Sequence, residues 1–187
     1  SSQKVGPTVA DDIKTSAIWS ILFALIAIAL YILIRFRNIA FSAGAVVALV
    51  HDVLFILSVY SIFYTIMPFS LEIDQSFIAA ILTVIGYSIN DTVVVFDRIR
   101  ENVGLYPKRA LNELINMSVN STLSRTFSTS FSTALPLLAM FIFGGETIRG
   151  FVFAILLGVI VGTYSTIFIA SPIAYDIQQK QAKKAQK

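Results

Sequence analysis

A run of about twenty mostly apolar residues, long enough to carry a helix across the hydrocarbon core of a bilayer, recurs five times in this chain. The runs lie at roughly 15–35, 39–64, 76–97, 123–143 and 149–172. In hydrocarbon each backbone N–H and C=O must find a partner within the protein, so runs of this kind specify an all-α integral membrane bundle of five transmembrane helices. Composition agrees, with 56% hydrophobic and 13% charged residues. Asp11 and Asp12 precede the first run and "RFR" follows it, flanks opposite to those of a cleaved leader, so this helix is expected to stay in the membrane. Between the third and fourth runs, "YPKRALNELINMSV" predicts an amphipathic helix on the cytoplasmic membrane surface, with Pro107 as its start and Leu111, Leu114 and Ile115 on one face.

The net charge of +3 could suggest nucleic acid, but Lys and Arg stand in short clusters at the borders of apolar runs, as they do beside a membrane. Nucleic acid is not an expected partner; membrane lipid is. On one side of the alternating topology fall Arg35, Arg37, Arg98, Arg100, Lys108, Arg109, Lys180, Lys183, Lys184 and Lys187; the other side has Lys4, Lys14 and Arg149. This asymmetry predicts an external N-terminus and a cytoplasmic C-terminus. An odd number of spans that starts outside, opening on "SSQKVGPTVADD", further suggests a piece of a larger protein with an N-terminal part missing.

Charged residues inside the spans are the candidates for function. An ionised carboxylate at the centre of a bilayer costs about 3 kcal/mol or more. Asp91, in "IGYSINDTVVVFDRIREN", falls about five residues past the centre of the third span, roughly 7 Å along a helix. Ala80, Val84, Tyr87 and Ser88 share its face, mostly small or hydroxylated residues suited to a helix interface. In the fourth span Arg125 stands on a face with Ser121, Thr122, Ser128, Thr129 and Ser132, and Pro136 follows. A stripe of hydroxyls with one guanidinium points to a polar seam inside a bundle, with Ser128, Thr129 and Ser132 along it. Asp91 and Arg125 fall at compatible depths, which suggests a proton relay: desolvation favours the neutral acid, and a nearby guanidinium favours the carboxylate. The bland alternatives are an Arg that reaches to headgroups and a structural Asp satisfied by local donors.

A second polar site, His51 and Asp52, falls near the centre of the second span, where Gly44, Ala48 and Asp52 share a small-residue face. It could equally fix helix register or join a proton path. Gly158 and Gly162, a GxxxG in the fifth span, read as helix packing. There is no phosphate-binding loop, no HExxH, no cysteine and a single His. No cofactor, metal site or catalytic residue is therefore expected, and the chain does not read as an enzyme.

Six motifs together resemble the SecF family of protein-export subunits: "VGPTVADDI", "VALVHDVLF", "ILTVIGYSINDTVVVFDRIREN", "TLSRTFSTS", "FGGETIRGF" and "LLGVIVGTYSTIFIASPI". The resemblance runs from about residue 5 to 173 and covers every span. It implies a fold like that of the resistance-nodulation-division transporters, six helices with a large extracytoplasmic domain between the first two. Residues 1–187 would then be most of one six-helix half, with the first helix and the extracytoplasmic domain absent from this chain. It also implies Asp91 on the fourth family helix and Arg125 on the fifth as the proton-linked residues. The expected partners are SecD, separate or fused, the Sec translocon channel and exported polypeptides, in the bacterial cytoplasmic membrane. The implied activity is use of the proton gradient to assist late export after an ATP-driven motor has started translocation. The alternatives are another exporter of the same superfamily, for lipid or small molecules, and a passive scaffold that stabilises the translocon.

Overall fold

The computed structural model describes residues 7–185, with side chains from Ile13 to Lys184. Lys4, Lys187 and the start of "VGPTVADDI" lie outside the described residues. The described chain is helical between short connections: α1 Pro7–Phe36, α2 Ile39–Phe63, α3 Gln75–Leu105, α4 Leu111–Phe143, α5 Glu146–Ser165, a π-turn Thr166–Ala170, and α6 Ser171–Ala185. Five stretches are long and apolar enough to cross a membrane, the last running from α5 through the π-turn into α6. This is a multi-pass membrane protein.

Local chemistry sets the connections. Asn38 caps α2 by accepting from Ala40 N at 2.9 Å, and the left-handed Arg37 (φ 51°) lets the chain reverse after α1. Asp74 caps α3 by accepting from Phe77 N at 2.8 Å. At the α3–α4 connection the structure corrects the sequence reading. Pro107 starts no helix; it holds the second position of a turn closed by Arg109 N donating to Tyr106 O at 3.0 Å, a place its fixed φ suits. The amphipathic segment begins at Leu111 and continues without a break into the fourth span and through Pro136. Leu114 and Ile115 are buried against the bundle instead of resting on a membrane surface. The third helix also outruns its expected end by eight residues, to Leu105. Beyond the apolar run it is held by Arg35–Asp97 at 3.0 Å and by the i,i+3 pair Arg98–Glu101 at 2.7 Å.

Packing is centred on α3. Its buried residues, from Phe77 through Ala80, Ile81, Val84, Ile85, Ser88, Asp91, Thr92, Val95, Phe96 and Ile99 to Asn102, follow the i, i+3, i+4, i+7 pattern along the whole helix. They divide into three layers. Towards the acidic end, Leu49, Val53, Ile56, Tyr60, Phe77, Ile81, Ile85 and Ile155 form one apolar cluster. Towards the basic end, Ile32, Phe36, Phe41, Phe96, Ile99 and Ala170 form another, its three phenylalanine rings at centroid separations of 4.7 to 6.0 Å. Between them lies a polar layer. It holds Asp52 of α2, Ser88, Asp91 and Thr92 of α3, Ser165 of α5 and Thr166 of the π-turn, all buried.

Glycine permits the close approach of α5 to α3. A Cβ on Gly158 would collide with the Val84 side chain, and one on Gly162 would come within 3.0 Å of the Ser88 side chain. The GxxxG face therefore packs on α3, as its spacing predicts, and its second glycine abuts the polar layer.

Candidate functional site

The two carboxylates of the polar layer are held differently. Asp52 has no exposed surface, and both of its oxygens are engaged. Ser88 Oγ donates to Asp52 Oδ2 at 2.7 Å, Ser165 Oγ donates to the same oxygen at 2.9 Å, and His51 Nδ1 lies 3.2 Å from Oδ1. One carboxylate thus joins α2, α3 and α5. One turn along α3, the Thr92 and Thr166 hydroxyls meet at 2.8 Å, and Ser171 Oγ donates to Thr166 O at 2.9 Å across the π-turn. A π-turn opens the helix by one residue and recurs at functional sites. Here it is flanked by hydroxyls that bind the neighbouring helices.

Asp91 is 5% exposed, and its Oδ2 is buried without a hydrogen-bond partner among the described residues. A carboxyl oxygen in that state is a rarity in a folded protein, because the lost solvation is not replaced. No ion pair joins Asp91 to Arg125 among the described residues, and Arg125 is exposed on α4. The sequence-predicted pair is therefore not in contact in this structure. This arrangement leaves the carboxyl free to gain or lose a proton without first breaking a salt bridge.

The hydroxyl stripe of α4 lies largely at the surface of this chain. Ser128 and Ser132 are exposed and Thr129 is half-buried, so the seam expected along them is not enclosed by this chain. The face of α4 that packs inward carries Leu114, Ile115, Ser118, Thr122 and Thr126. Further along, Ser130 Oγ and Thr163 Oγ1 share a hydrogen bond at 2.6 Å, with Tyr87 Oη 3.5 Å from Ser130. That inward face is rotated away from the one marked by Arg125. Helical spacing puts Tyr87 and Ser88 on the face of Asp91, but nothing in the sequence singles out Thr92, Ser130, Thr163, Ser165 and Thr166. The small-residue face of α2 did identify an interface: Gly44, Ala48 and Asp52 are all buried, and a Cβ on Gly44 would sit 2.6 Å from Ala170 O at the end of the π-turn.

Comparison with known proteins places this geometry in a family. The model of the SecD/SecF protein-export membrane protein C-terminal family matches residues 1–180. The chain belongs to that family. A protein translocase subunit SecF from Rhodothermus marinus is 54% identical over 96% of this chain and 58% of its own length. A SecF from Rhodobacter capsulatus is 48% identical over 92% of this chain and 50% of its own. The chain therefore spans about half the length of the curated relatives it matches. A crystal structure of SecDF in a super-membrane-facing form superposes with a TM-score of 0.81 at 38% identity, covering 98% of this chain and 24% of that one.

Proposed function

We propose that the chain is the membrane portion of a SecF-type accessory subunit of Sec protein translocation, and that it couples inward proton movement to late export of polypeptides across the cytoplasmic membrane. The observation that carries this reading is the Asp91 carboxyl, buried inside a membrane bundle with one oxygen that has no hydrogen-bond partner among the described residues. The membrane potential supplies about 2.3 kcal/mol per elementary charge per 100 mV, so one or two protons suffice to shift a two-state equilibrium. In this reading Asp91 is the proton carrier and Arg125 the charge whose distance from it changes through the cycle.

The exposed stripe of α4 bears on partners. Arg125, Ser128 and Ser132 make a poor surface for lipid, so further membrane helices are expected to cover it. SecD, separate or fused, is the partner that fits, and the first helix and extracytoplasmic domain belong to the complete protein in this account. The Sec translocon channel and the exported polypeptide would be met through that larger assembly.

Two experiments on the complete protein test the reading. Single cysteines labelled from each side of sealed membranes should place positions 37 and 100 in the cytoplasm and 72 and 146 outside; external labelling at 100 would reverse the orientation. In the same series, cysteines at 128 and 129 should react with small water-soluble reagents faster than one at Phe127, and equal slow reaction at all three would indicate a dry seam. Separately, Arg125→Lys should lose most gradient-dependent export of a reporter protein, because a point charge on a different stem does not reproduce the planar donor fork. Retention of that stimulation would reduce Arg125 to a headgroup anchor.

A further inference from the structure

Asp91 is one of two carboxylates in the polar layer, and the other is wired to the surface of the bundle. Asp52 itself has no exposure, whereas the side chain of His51, its partner at 3.2 Å, is 35% exposed and emerges beside Phe55 and Tyr164. The charged groups of the packed helices lie elsewhere. Among the described side chains, those of α1, Lys14 and Arg35, and those of α6, Asp176, Lys180, Lys183 and Lys184, stand towards the helix ends. At this level α5 presents Ser165, and α3 presents Ser88 with Asp91 three residues further on. His51 is the titratable side chain in direct contact with Asp52.

The hydrogen bonds fix where a proton can sit. Oδ2 already accepts the protons of Ser88 and Ser165, so the one proton that joins the dyad lies between His51 Nδ1 and Asp52 Oδ1. We propose that His51 and Asp52 form a second proton-exchange site of this chain, loaded through His51 and separate from Asp91. This inference deepens the proton-linked reading above and rests on it. A proton arriving at Nε2 is matched by transfer of the Nδ1 proton to Oδ1. The dyad passes from neutral imidazole with carboxylate to neutral imidazole with carboxylic acid, with one charge gained. The neutral acid is a weaker acceptor for Ser88 and Ser165, so loading loosens the junction of α2, α3 and α5 where α5 enters its π-turn. Ser88 stands one turn before Asp91 on the same helix, which gives the second site a mechanical link to the first.

The test is pH-difference infrared spectroscopy of the complete protein in liposomes, read at the C=O stretch of protonated carboxylic acids. A titrating band should vanish in Asp52→Asn, persist in Asp91→Asn, and change its midpoint by about one pH unit or more in His51→Gln. Ser165→Ala keeps the carboxyl and the imidazole, and should displace the frequency of the same band; it identifies that band if Asp52→Asn fails to assemble. Loss of no titrating band in Asp52→Asn, or an unchanged midpoint in His51→Gln, would overturn the proposal. A missing Asp91 band beside a normal Asp52 band would instead count against Asp91 as carrier and leave this site standing.

Discussion

Asp91→Asn in the complete protein is expected to abolish the gradient-dependent part of polypeptide export while leaving membrane insertion and assembly with SecD intact. The amide keeps the size of the carboxyl and can still hydrogen-bond, but it cannot take up and release a proton. Folding should tolerate the change because the carboxyl contributes little to the packing that depends on hydrogen bonds: its Oδ2 has no partner to lose among the described residues. The measurement is export of a reporter into sealed vesicles with and without a proton gradient, at matched amounts of inserted protein. The stimulated increment should fall to that of vesicles lacking the protein. Were Asp91 only structural, an Asn of the same size would fill the same place and the increment would survive.

The next largest effect is expected at the helix interface. Gly158→Ala places a Cβ against the Val84 side chain, where α3 and α5 leave no room, and should destabilise the bundle by about 1–3 kcal/mol. Val84→Ala removes the two γ methyls that obstruct the new Cβ most but keeps the Val84 Cβ, 2.8 Å from the new atom, so it should restore part of that loss, and thermal unfolding of the two single variants and the double variant in detergent would measure the coupling. Gly44→Ala offers a control without such rescue. Its Cβ would meet the backbone carbonyl of Ala170, which cannot be trimmed away, so this variant should disturb the π-turn itself. Strict additivity of Gly158→Ala and Val84→Ala would mean that the two helices do not approach as closely as described.

How much of this was legible follows from what each feature depends on. Span positions and fold class rest on local hydropathy, and all five apolar runs are helices. Asp91 and Arg125 stand out because charge inside such a run is rare. The overextension of α3 to Leu105 escaped the reading because hydropathy ends where the membrane ends, whereas the helix ends only at the turn around Pro107. The π-turn escaped it because "TIFIA" has the composition of ordinary spanning helix. The Asp52 junction was half visible. The residue was singled out, but its donors lie 36 and 113 positions away, and Ser165 reads as an unremarkable small residue until the helices are packed. The stripe of α4 has Ser128 and Ser132 exposed on this chain, and the spacing of hydroxyls carries no information about what lies against that face.

The central claim is that a proton crosses this layer by way of Asp91, and proton flux tests it most directly. Vesicles containing the complete protein together with SecD, the proposed partner, loaded with a pH-sensitive dye and subjected to an imposed membrane potential, should acidify faster than protein-free vesicles. In Asp91→Asn vesicles the rate should fall to the protein-free leak. Equal flux in wild type and Asp91→Asn would contradict the account.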